Sequence, residues 1–166
     1  MLTTARLALS PLTSDDAAFF YDLYDHRTEE ERASGAEWPT PLLVEAMGNF
    51  GTDWANTGIG YHVVRLGDGS GPAIGLAGVR FGSLDSTDHL NVYYHIVESE
   101  RGKGYAVEAM RAALAVRGAA GHGDLPVLAL IRPENVTSRR VAERLGFAWE
   151  DGRFNARGLC VYELAE

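Results

Sequence analysis

Between His89 and Gly118 the chain switches periodicity across two glycines, and this switch limits the available folds more than any other stretch. Leu90, Val92, Tyr94 and Ile96 alternate with Asn91, Tyr93, His95 and Val97, the period of two expected of a strand with two distinct faces. From Tyr105 to Gly118, Ala106, Ala109, Met110, Ala113, Leu114 and Val116 recur at helical spacing, so one side of a helix is apolar. Arg101-Gly102-Lys103-Gly104 stands between the two patterns. A strand feeding a helix through a glycine loop belongs to layered folds, in which helices cover a sheet.

The flanking sequence extends this reading. Leu7 and Leu9 predict a short first strand. Thr13 to Asp16 has the hydroxyl and early acids of a helix start, and Phe20, Leu23 and Tyr24 give that helix an apolar side. The charged run Asp25 to Arg32 reads as a solvated helix end or loop. Thr40-Pro41 predicts an N-cap and first helical residue, with Leu43, Met47 and Phe50 on one side of the helix that follows. Ile59–Leu66 and Ala73–Phe81 read as a hairpin around Gly67–Pro72. Val127–Ile131 is a short apolar strand of the buried kind. Thr137–Leu145 is a helix ended by Gly146, and Ala148–Arg153 and Leu159–Leu164 are closing strands around Asn155–Gly158. The expected order is β-α-α-β-β-β-α-β-α-β-β. This is an α/β (α+β mixed) fold with a mostly antiparallel sheet and helices on both faces, in a single domain over residues 1–166.

A formal net charge of −8 and the lack of a basic stripe argue against nucleic-acid binding. No segment approaches the ~18 continuous apolar residues that a membrane span needs, and the first residues carry no signal-like apolar run. The one cysteine, Cys160, cannot form an intramolecular disulfide and reads as a small buried hydrophobe. These features lead us to expect a cytoplasmic protein. The five histidines show no close metal pairing, so no metal is expected.

The glycine loop reads as an anion cradle. A helix start presents unpaired N–H groups and the positive end of the helix dipole. Glycines allow positive φ and close backbone approach, and Arg101 and Lys103 bring positive charge to an acidic chain. Gly-x4-Gly-Lys-Ser/Thr is absent, as is the third glycine of a dinucleotide fingerprint, which argues against a P-loop NTPase or a Rossmann dehydrogenase. Arg101-x-x-Gly104-x-Ala106 resembles the signature of the GNAT acetyltransferase superfamily. Its context from Tyr94 to Ala109 is similar to the subgroup of ribosomal-protein N-terminal acetyltransferases. Asn135-x-x-Ser138 followed by Leu145-Gly146-Phe147 resembles the second element of that family.

The resemblance implies acetyl-CoA as cosubstrate and an amine acceptor, either a protein N-terminus or a small molecule. It implies that Arg101, Gly102, Lys103, Gly104, Tyr105 and Ala106 hold the pyrophosphate. Asn135 would meet the pantetheine arm, and Ser138 would lie near the sulfur. A backbone N–H from a bulge in the segment Ile96, Val97, Glu98 would polarise the thioester carbonyl. Homodimers are common in the family, and an exposed C-terminal strand is available to pair.

The sequence departs from the pattern in two places. Ala142 occupies the position of a frequent tyrosine acid, and Asn91 that of a glutamate base. Ser138 is the candidate substitute acid, directly or through water, the alternative being that the coenzyme A thiol leaves without an acid, and His95 is the candidate base, with an ordinary pKa near ~6.5. Glu37, Glu45 and Asp53 lie in the region expected to receive the acceptor. A small residue at position 142 would leave room for a longer acyl group. A non-catalytic acyl-CoA-binding or sensor domain is the competing reading.

Overall fold

The computed structural model describes residues 1–25, 28–35 and 38–165. Its strands are β1 (Leu2–Thr3), β2 (Leu7–Pro11), β3 (Tyr61–Leu66), β4 (Ala73–Leu84), β5 (Thr87–Ile96), β6 (Val127–Ile131), β7 (Phe147–Phe154) and β8 (Cys160–Leu164). Its helices are α1 (Ala17–Asp22), α2 (Glu29–Ala33), α3 (Pro41–Ala46), α4 (Gly48–Thr57), α5 (Tyr105–Ala115) and α6 (Val136–Leu145). The strands form a mixed sheet in the order β1-β2-β3-β4-β5-β6-β8-β7. Every pairing is antiparallel except β5 with β6.

Strand alternation builds a core on each side. Val64, Val79, Leu90 and Val92 face one cluster, against α5 and α6 through Ala109, Met110 and Ala142. Val63 and Leu76 face the other, against Phe20, Tyr24, Val44 and Phe50 of α1, α3 and α4 and the turn that follows α1. Each fully buried aliphatic side chain contributes about 1.5–3 kcal/mol. Tyr162 is among the largest buried side chains, and its hydroxyl accepts a 2.8 Å hydrogen bond from Arg139 Nε. That bond removes the penalty of a buried polar tip.

Several elements differ from the expectations. The charged run after Asp25 contains a helix, α2. Thr40 does cap α3, its hydroxyl accepting the Leu43 N–H at 3.4 Å. The helix expected to run on to Phe50 is divided at Met47, whose buried side chain anchors the second cluster. No register shift interrupts β5 against β4 up to Ile96. The described register shifts lie elsewhere, between β3 and β4 at Val64/Arg65 and between β7 and β8 from Trp149 to Phe154. No helix among the described residues is long and apolar enough to cross a membrane.

Candidate active site

The sheet opens at its one parallel junction. β5 and β6 are in register only at Leu90–Val127 and Asn91–Leu128. The Leu90 N–H reaches across to Pro126 at 2.8 Å, whereas the Val97 N–H points the other way, to Ile74 O at 2.8 Å. By alternation, the Tyr94 and Ile96 amides face the widening gap. The expected bulge is thus replaced by a splay that frees the same kind of donor. The gap continues into a cleft of about 970 Å³ lined by β5, β6, the start of α5 and one side of α6.

The glycine loop forms one end of the cleft. Gly102 and Gly104 sit at φ +79° and +84°, a region that glycine enters without steric cost. The N–H groups of Gly102 through Val107 have no hydrogen-bond partner among the described residues, and the helical ladder begins with Glu108 N–H to Gly104 O. A Cβ at Gly102 would meet nothing within 4 Å, and one at Gly104 only Arg6 Nη2, at 3.6 Å. Gly102, Gly104, Tyr105, Ala106 and Val107 also line the cleft, so unpaired donors lie beside open space, as an anion site at a helix start requires.

A strap from the start of the sheet holds this loop. Arg6 Nη1 donates to Lys103 O at 3.0 Å. Its Nε and Nη2 contact Glu108 Oε2 at 2.7 and 2.6 Å, and its guanidinium lies 4.6 Å from the Tyr105 ring centroid. Thr4 Oγ1 donates to Glu108 Oε1 at 2.6 Å. Burial alone would raise the Glu108 pKa, but the hydrogen bonds from Thr4 and Arg6 outweigh it and hold the carboxyl below its usual range.

Charge in the cleft is inverted relative to the whole chain. Arg101, Arg132, Arg140, Arg144 and Arg157 line it, and none forms an ion pair among the described residues. The one acid in the described lining, Glu100, is held by Lys103 Nζ at 2.9 Å. Arg101 also donates from Nε to Ile96 O at 2.9 Å, tying the loop to the end of β5.

The second element meets the cleft at the start of α6. Asn135 is the N-cap, its Oδ1 accepting the Ser138 N–H at 3.0 Å. Asn135 thus starts α6 ahead of the expected Thr137, and the Asn135 Nδ2 donor makes no hydrogen bond among the described residues. Ser138 O accepts the Tyr94 hydroxyl at 2.7 Å, a clasp across the gap. Burial pushes the Tyr94 phenol up, so it stays protonated at neutral pH.

His95 is half-buried beside Tyr24, their rings 5.7 Å apart edge to face. Burial first and the Arg101 charge second hold its pKa below the usual value. Its neutral imidazole is therefore available to accept a proton near pH 7. Burial raises neighbouring Tyr93 to about 12.

Some sequence-derived positions fall outside the cleft. Val97, Glu98 and Lys103 do not line it. Ala142 is 0 % exposed within the α5–α6 core, so its small size opens no room beside the gap. Asp53 pairs with Arg80, Glu45 is exposed, and Glu37 lies outside the described residues. Among the described residues no group of three or more His, Cys, Asp or Glu side chains is placed to hold a metal. Sequence reasoning missed Arg6, Arg132, Arg140, Arg144 and Arg157, because nothing local distinguishes them from solvated charges.

A family model described as an acetyltransferase (GNAT) domain matches residues 6–148. A protein described as a GNAT-family acetyltransferase from Bordetella pertussis is similar at 26 % identity and TM-score 0.73, covering 99 % of this chain and 98 % of that one. An acetyltransferase from Agrobacterium tumefaciens is similar at 27 % identity and TM-score 0.67, covering 99 % and 94 %. A ribosomal-protein-S5-alanine acetyltransferase from Vibrio fischeri shares the fold at 16 % identity and TM-score 0.67, covering 98 % and 94 %. A comparison with curated protein sequences gives no match.

Proposed function

This chain belongs to the GNAT acetyltransferase family, and from that premise we propose that it moves an acetyl group from acetyl-CoA to a primary amine by direct attack. One observation carries the reading: a loop of unpaired amides opens onto a cleft whose described cations are free of acids, in a chain of net charge −8. A polyanionic cofactor suits that cleft. The Gly102–Val107 amides would hold its pyrophosphate, with Arg101, Arg140 and Arg144 beside them. Asn135 Nδ2 would meet the pantetheine arm.

When bound, acetyl-CoA supplies a thioester carbonyl open to attack by an amine. The Ile96 N–H is directed into the gap and would stabilise charge on that oxygen. His95 would accept the amine proton, directly or through water. Ser138 lies at the start of α6, close enough to the gap to offer its hydroxyl to the departing sulfur.

Calorimetric titration with acetyl-CoA tests the cofactor, and thiol release across a panel of amines tests the transfer. Low-micromolar affinity, about −8 kcal/mol, with turnover is the expected result. Failure to bind at millimolar concentration overturns the reading. Tight binding with no turnover on any amine favours a non-catalytic acyl-CoA sensor, in line with Ala142 and Asn91 standing where relatives carry an acid and a base.

Two variants probe the parts. Arg6→Ala removes the strap on the Lys103 carbonyl and is expected to weaken acetyl-CoA binding about tenfold, roughly 1.4 kcal/mol, as measured by the same titration. His95→Gln is expected to lower kcat by about 10²–10⁴. Because the His95 pKa is lowered, wild-type activity should hold at neutral pH and fall on acidification through a value below 6.5. That limb of the profile should disappear in the variant.

A further inference from the structure

The cleft has a second wall that the cofactor reading leaves unused. Sheet order places β5 and the glycine loop on one side of the gap and β6 with β8 on the other. The cations divide accordingly. Arg144 also lines the hollow beside α5 with Gly104 and Val107, and Arg140 lies one turn earlier on α6. Arg132 directly follows β6, and Arg157 lies in the turn before β8. Their strands pair through Ile131 and Cys160, so these two guanidiniums belong to the far wall.

The sheet face on this side differs from the cofactor side. Alternation along β5 sends Tyr93 and His95 away from α5, and both line the cleft. Tyr93 packs against Tyr61 at 5.1 Å and Tyr24 at 6.5 Å between ring centroids. Leu130 and Leu159 extend the apolar surface. No acid among the described residues lines this half, since Glu100 lies on the loop side and is held by Lys103. A polycationic acceptor would meet two uncompensated guanidiniums and no carboxylate among the described residues of this half. A carboxylate there would meet planar donors suited to bidentate capture.

We propose that the acceptor is an amino-carboxylate: a primary amine on an apolar or aromatic body, with a carboxylate received by Arg132 and Arg157. The proposal rests on the transferase reading. It sets the amine near His95 and the carboxylate at the far wall, and it selects against polyamines.

The test compares molecules that differ only in the carboxylate. L-Phenylalanine, phenethylamine and spermidine are titrated separately into CoA-saturated protein by calorimetry. L-Phenylalanine is expected to bind at least tenfold more tightly than phenethylamine, with spermidine weakest. The advantage should be lost in the R132Q/R157Q double variant. Equal affinities, a preference for either carboxylate-free amine, no binding by any of the three, or an advantage that survives in the double variant would overturn the proposal. The readout is independent of turnover. Selective carboxylate binding without thiol release would uphold the far-wall site and count against the transferase reading alone.

Discussion

Gly104→Glu should weaken acetyl-CoA binding at least 100-fold, about 2.7 kcal/mol, in a calorimetric titration. Two effects act together. Gly104 sits at φ +84°, where any side chain costs roughly 1–2 kcal/mol, so the loop would tend to leave its cradle geometry. The new carboxylate would also occupy the space over the Gly102–Val107 amides, where the cofactor phosphates would lie. It would start within reach of Arg6 Nη2, 3.6 Å from a Cβ at this position, and could draw that guanidinium from the Lys103 carbonyl. Gly104→Ala separates the two effects, because it carries the backbone cost without the charge and should cost much less affinity. Wild-type affinity in Gly104→Glu would show that the phosphates bind elsewhere.

Acid should destabilise the fold through His62. This side chain is 2 % exposed, its ring stands edge to face on Trp54 at 4.7 Å, and its Nδ1 lies 3.2 Å from Ala77 O. Burial lowers its pKa to about 4, and the weaker opposing effect of the Ala77 hydrogen bond does not restore it. The unfolded chain binds this proton near pH 6.5 and the folded chain only near pH 4. The stability contributed by neutral His62 is therefore complete above pH 6.5 and is lost as pH falls from 6.5 toward 4. At pH 4 the loss is about 3 kcal/mol. Denaturant unfolding at pH 7, 5.5 and 4, for wild type and His62→Leu, isolates this contribution from that of the carboxylates. Wild type should lose about 3 kcal/mol more than the variant, and parallel profiles would rule the histidine out.

What the sequence disclosed followed the range of the interaction involved. Val127–Ile131 was legible because five consecutive apolar residues admit little besides a strand buried on both faces. The strand–loop–helix passage was legible because a change of period, two positive-φ glycines and local cations all lie within a few residues. The division of the helix at Met47 was not, because it depends on that side chain reaching a core assembled from distant strands. Arg6 and Glu108 are 102 residues apart, and neither carries a local mark of the other. Ala142 misled for a similar reason. Its place in a motif suggested a position near the reacting atoms, whereas helix phase turns it into the core.

The parallel junction gives the molecule an unusual mechanical character. β1 to β5 form one wing and β6 to β8 the other, and the main chains of the two are in register at only two positions. Beyond Asn91 the wings are joined by α5, α6 and the Tyr94–Ser138 clasp. A bound extended molecule offering its own amides along β5 would act as a temporary strand between them. The seam proposed to admit the ligand is thus also the place where the sheet is incomplete, so the protein would be most continuous when loaded.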